Sequence, residues 1–185
     1  MKYKVFLSLL LLIITGVSGC KKDSGGDAAS GENYIRFKVD GKQVAFRALT
    51  QSQLNYSAGT GLHLCIMLAS EEAMVANRNI MTITVNGNEA AVQGINYDLV
   101  TPLTLSNGTT TTKGSLVYLD NSGAGYVAQG PQRTTATADM AAHVQITDLK
   151  KDYMKGNFSA VAFHATDFSK KVSITDGEFY LKRVN

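Results

Sequence analysis

The chain contains no tryptophan, two prolines, three histidines and two cysteines. Two cysteines permit at most one bridge, which excludes the disulfide framework that holds very small secreted domains together. Asp, Glu, Lys and Arg make up only 18% of the residues, with a formal balance of +3. A nucleic acid backbone calls for a basic stripe, so nucleic acid is not an expected partner. No apolar run reaches the roughly 20 residues that a membrane-crossing helix needs. His63, His143 and His164 lack the close paired spacing of zinc ligands, so no metal site is expected. The chain has no Gly-x-Ser-x-Gly elbow, no His-Glu-x-x-His and no phosphate-cradling loop. It therefore carries none of the common hydrolase or nucleotide signatures, and neither a catalytic residue nor a cofactor is expected.

What is present begins at the N-terminus. Lys2 and Lys4 precede the run Val5 to Ile14, apolar apart from Ser8, and Thr15 to Cys20 is small and turn-prone. A basic start, an apolar run of roughly 7–15 residues and a small-residue cleavage region predict a secretory signal over residues 1–19. Removing it leaves 166 of the 185 residues, enough for one domain with its own core. Lys2 and Lys4 leave with the signal, so 16 basic residues face 15 acidic ones in the mature chain.

Residues 20–33 are polar and glycine-rich. Lys21 to Glu32 has no aromatic or β-branched residue and predicts a flexible tether. From Tyr34 the pattern turns to strands, so a single all-β domain is expected over 34–185, a β-sandwich (immunoglobulin-like or jelly-roll-like) or a partly open barrel. Tyr34–Val39 and Val44–Ala48 flank Asp40-Gly41, a strong hairpin signal because such pairs accept positive φ cheaply. Asp176-Gly177, between Val172–Thr175 and Glu178–Leu181, predicts a second hairpin of the same type. The nearly continuous apolar run Leu62–Ala69 reads as a strand buried on both faces. Ile80–Val85, Ser115–Leu119, Tyr126–Ala128, Ala142–Leu149 and Lys155–His164 are further strand candidates. Glu71–Asn77 reads equally as a short helix or a loop, and Thr109–Thr112 as an exposed loop or an edge strand.

Val17-Ser18-Gly19-Cys20 resembles the lipobox of bacterial lipoproteins, which implies cleavage before Cys20 and lipid on that cysteine. Two or more acyl chains are needed for a lasting anchor, since one gives only marginal binding. The segments Phe37–Lys42, Ile146–Leu149, Lys155–Ser159 and Val172–Phe179 resemble the two ends of small lipoproteins of Bacteroidota-type bacteria. Together with the lipobox this covers about a third of the chain, and the middle, Thr50 to Gln132, has no counterpart. The resemblance implies a β-sandwich-like envelope domain held by lipid in the outer membrane and brings no catalytic residues. Periplasmic and surface orientations both stay open.

Four loop-borne tyrosines, Tyr56, Tyr97, Tyr126 and Tyr153, are the candidate ligand platform. Gln51–Gly61 and Ala90–Thr101 are the segments where binding loops are expected, because loops carry function more often than strands. Cys65, between Leu64 and Ile66, reads as a small buried hydrophobe. Gly123-Ala124-Gly125-Tyr126-Val127-Ala128 formally fits a dinucleotide fingerprint, but that motif works only between a strand and a helix, and a turn is expected instead. The expected function is a lipid-anchored, non-catalytic binding module for an envelope protein or a glycan. The alternatives are a structural envelope component without a dedicated ligand, or a glycan hydrolase, which needs two facing carboxyls that spacing alone does not reveal.

Overall fold

The computed structural model describes residues 32–72, 77–130 and 135–184. Among them the architecture is all-β, with one short 3-10 turn at Thr135–Thr137. The strands are β1 (Tyr34–Val39), β2 (Lys42–Phe46), β3 (Ala48–Ser57), β4 (Leu62–Ser70), β5 (Ile80–Gly87), β6 (Asn96–Asp98) and β7 (Pro102–Thr104). They continue with β8 (Thr110–Thr112), β9 (Gly114–Leu119), β10 (Gly125–Gln129), β11 (Ala141–Leu149), β12 (Tyr153–His164) and β13 (Lys171–Val184).

Eleven strands pair in the order β2-β1-β13-β3-β4-β5-β9-β10-β12-β11-β6, while β7 and β8 form a separate ribbon. β12 also pairs with β13, from Tyr153–Lys182 to Phe163–Lys171. That pairing folds the ladder back on itself. One layer is β2-β1-β13-β12-β11-β6 and the other is β3-β4-β5-β9-β10, joined at β13–β3 and β12–β10. The result fits a β-sandwich or a partly open barrel, as the strand pattern predicts.

Period-two alternation builds the core between the layers. Ile35 and Phe37 of β1, Met154 and Phe158 of β12, and Phe179 and Leu181 of β13 point inward and are buried. They meet Cys65 and Met67 of β4, Met81 and Ile83 of β5, and Leu116 and Tyr118 of β9. Phe37 and Tyr118 cross the gap edge to face, with ring centroids 5.5 Å apart. Fully burying a side chain of this size contributes roughly 1.5–3 kcal/mol relative to leaving it exposed.

The Asp40-Gly41 hairpin forms as predicted. Asp40 and Gly41 both have positive φ, 48° and 81°, as a type I′ turn requires. The expected second hairpin does not form: Asp176-Gly177 lies inside the continuous fourteen-residue β13. Asp176 alone takes positive φ there, 50°, and the register with β12 shifts between Phe158 and Ala160. This is a β-bulge, and only a glycine fits at 177, because a Cβ would lie 2.4 Å from the Phe158 carbonyl oxygen and 2.7 Å from its ring.

Other expectations are refined. The inward face of β4 is buried, whereas Leu64, Ile66 and Leu68 on its outward face are only half-buried. Gln51–Ser57, expected to be loop, belongs to β3. Thr110–Thr112 is a strand, paired with β7. Residues 73–76 of the expected short helix lie outside the described residues, and Glu71 and Glu72 form a bend.

The two ends of the sandwich differ. At one, the β5–β9 connection turns inward: Leu99, Val100 and Leu105 are buried, and the Leu99 amide donates to the Ala142 carbonyl at 2.8 Å. At the other, the β1–β2 turn, the end of β4, the start of β5 and the β9–β10 turn stand around an open cleft.

Candidate functional site

The cleft has a volume of about 610 Å³, within the roughly 300–1,000 Å³ usual for ligand sites. One wall is β2, all five of whose residues line it. β2 hydrogen-bonds to β1 with Val39 opposite Lys42, Phe37 opposite Val44 and Ile35 opposite Phe46. In a two-residue hairpin the pair flanking the turn is hydrogen-bonded and the bonding alternates from there. The peptide groups of Gln43 and Ala45 therefore point away from β1. Among the described residues no strand pairs with that outer edge.

The floor is aromatic. Phe46 lies stacked near Tyr118, with centroids 6.4 Å apart, and Tyr118 stacks near Tyr126 at 6.2 Å. Phe46 and Tyr118 are buried and Tyr126 is half-buried. Burial, followed by the nearby Asp120 charge, pushes the Tyr118 hydroxyl above the ordinary tyrosine value.

The facing wall comes from the ends of β4, β5 and β9: Glu71, Asn79, Asp120 and Asn121. The Asn79 amide donates to the Glu71 carboxylate. Burial would raise the Asp120 pKa, but the Ser122 hydroxyl (2.7 Å) and the Ser122 and Ala124 amides (2.8 and 2.9 Å) outweigh it and hold the carboxyl below its ordinary value. At the rim, Asp40 accepts from the Ser173 amide at 2.8 Å and so fastens the hairpin turn to β13.

A second feature is a polar row on the outward face of the first layer. Strand register lines up Asn96, Gln145, Asn157, Glu178 and Arg36 across β6, β11, β12, β13 and β1. Glu178 and Arg36 bond each other at 2.6 Å, whereas the three amide side chains make no hydrogen bond among the described residues. A shallow depression of about 260 Å³ lies over them, bordered also by His143 and Ser159.

The four sequence-predicted tyrosines do not gather into one platform. Tyr126 is in the cleft. Tyr153 opens β12 and Tyr126 pairs with His164 at its far end, a separation along the strand of about 35 Å at roughly 3.3 Å per residue. The Tyr153 hydroxyl is taken up by Asp148 at 2.7 Å, and its ring meets Tyr180 edge to face at 5.3 Å. The Tyr97 hydroxyl is bonded to the Val92 backbone, accepting from its amide at 2.8 Å. Tyr56, 60% exposed, lies against the His63 ring near the β3–β4 turn. Cys20, Val17, Ser18 and Gly19 lie outside the described residues.

Among the described residues no three His, Cys, Asp or Glu side chains stand where they could hold a metal ion. Gly123 and Ala124 close a turn and β10 starts at Gly125, so the dinucleotide-like stretch leads into a strand. Sequence reasoning placed Tyr118 in a strand but missed the cleft. Its walls come from β2, the end of β4, the start of β5 and the β9–β10 turn, and no local pattern announces that they meet. Comparison of the chain with protein-family models, curated proteins and solved structures found no match.

Proposed function

We propose that this chain is a lipid-tethered, non-catalytic binding module of the bacterial cell envelope, and that its partner enters the cleft beside β2. The single observation that carries the reading is an open cleft with an aromatic floor and a charged, amide-bearing rim at one end of a sandwich whose other end is plugged. A few convergent polar groups over an apolar floor are what ligand sites commonly present. The tether rests on Val17-Ser18-Gly19-Cys20 and the polar stretch that follows. Among the described residues lining the cleft, the Asp120 carboxylate is engaged by the hydroxyl and amides of its own turn, and burial raises the Tyr118 hydroxyl above its ordinary value, which favours binding over catalysis.

Two measurements test this. Full-length chain expressed in a bacterium should incorporate labelled palmitate and stay with membranes, and Cys20→Ala should lose both. A photo-crosslinking residue placed at Asn121 on the cleft rim should give discrete adducts in intact envelopes, and the same residue at Lys182 should not. Adducts independent of position, or none, would remove the cleft from the proposal.

A second reading is supported by the row of Asn96, Gln145 and Asn157. Amides both donate and accept, as sugar hydroxyls do, and the row carries no unpaired charge. A neutral glycan lying across it would lose affinity on Asn157→Ala and not on Tyr126→Ala.

A further inference from the structure

Building on the cleft as the binding site, we infer that its occupant is an extended polypeptide segment of net positive charge, added as a strand to the outer edge of β2. The outward groups at Gln43 and Ala45, unpaired among the described residues, are two donors and two acceptors, spaced two residues or roughly 7 Å apart along the strand. Another backbone matches that pattern in register, whereas a sugar chain has no such repeat. Strand addition of this kind takes affinity from the main chain and specificity from alternate side chains. Here alternate side chains of the incoming strand would lie over Val44, Phe46 and Tyr118, the apolar part of the cleft.

The charge of the walls chooses the partner's sign. Among the described residues, Asp40, Glu71 and Asp120 line the cleft against the single ammonium of Lys42. Edges left open are commonly blunted by charge or proline; β2 has no proline and its one charge, Lys42, sits beside the turn, which leaves Gln43 to Phe46 uncharged. The facing wall also argues for a single chain rather than a second copy of this protein. Joining β2 to its own copy would bring a whole sheet behind the added strand, and Glu71, Asn79 and Asp120 stand in that space.

The test uses the full-length chain in detergent micelles. The probe is a fluorescent decapeptide pool, randomised among Val, Ile, Leu, Phe and Tyr at alternate positions and fixed as Lys or Thr between them. Anisotropy should show saturable binding, weakened at least tenfold when the pool is N-methylated at alternate residues. Hydrogen exchange at Gln43 and Ala45 should slow on binding, while Val44, already bonded to β1, should change little. Ala45→Pro removes only an outward amide, a placement edge strands tolerate, and should abolish binding. The N-methylated pool gives the same answer with no change to the protein. Binding that ignores N-methylation would overturn strand addition and leave the cleft reading intact. Failure of the whole pool to bind would overturn strand addition as well, with the Asn121 crosslink then deciding the fate of the cleft alone. Slowed exchange at Gln43 and Ala45 that appears with protein concentration and no peptide would replace the polypeptide partner by a second copy.

Discussion

The Cys65 Sγ lies 3.8 Å from the Met154 Sδ, one sulfur from each layer of the sandwich. Cys65 is buried, and burial pushes its thiol up to about 12, with the Arg183 charge opposing. The native thiol should therefore stay unmodified by a thiol-reactive disulfide reagent at pH 8 and react once the chain is unfolded. The raised pKa also links to stability. The folded state holds the proton more tightly, so stability is unaffected below the unfolded thiol's value near 9 and declines as pH rises towards 12, by up to about 1.4 kcal/mol per pH unit. Denaturant titrations of wild type and Cys65→Ala should diverge in slope above pH 9. Parallel curves would mean the thiol is solvated.

At Gly156, in β12, the neighbouring strands leave no room for a side chain. A Cβ there would lie 2.1 Å from the Gln145 carbonyl oxygen and 2.4 Å from the Phe179 ring. Gly156→Ala should cost about 2–3 kcal/mol through overpacking, read as a lowered denaturation midpoint at unchanged m-value. A neutral substitution would show that β11 and β12 can separate there.

The Tyr153 hydroxyl donates to Asp148 at 2.7 Å. That bond first, and Lys150 with it, holds the Asp148 carboxyl below its ordinary value. A carboxylate depressed in the fold contributes stability above the ordinary carboxylate range and loses it as pH falls through the folded value. Tyr153→Phe should raise the Asp148 pKa, seen as a shifted carboxyl titration by carbon NMR, with less acid-sensitive unfolding. An unmoved titration would show that Lys150 alone sets it.

Arg36 and Glu178 pair through two nitrogens, at 2.6 and 2.9 Å, on half-exposed side chains. Good geometry at such a site still contributes little, because solvent screens it. Glu178→Gln should cost under about 1 kcal/mol, and less in 1 M salt. A loss of several kcal/mol would mean that the row through Asn157 and Gln145 depends on this pair.

The strands, their inward faces and the first hairpin were legible because they rest on neighbours in sequence: alternation along β5, β11 and β12, and an Asp-Gly step after Val39. The cleft was not, since Glu71, Asn79 and Asp120 stand far from β2 along the chain and meet it only after β1, β13, β3, β4, β5 and β9 have paired in turn. The expected tyrosine platform failed for the same reason. A local segment carries no record of pairing, which sets Tyr153 at one end of β12 and Tyr126 of β10 beside the other.

Asp40-Gly41 and Asp176-Gly177 show where the sequence stops deciding. The dipeptide is the same and the aspartates share nearly the same φ, 48° and 50°. By itself it determines that the backbone can bend leftward at a low steric cost. What it becomes is a matter of neighbours. After β1 the chain has a free side on which to return, both residues take positive φ, and a hairpin forms. Within β13, β12 on one side and β1 on the other hold the strand's direction, and Phe158 fills the space at Gly177, so the same step is confined to a bulge.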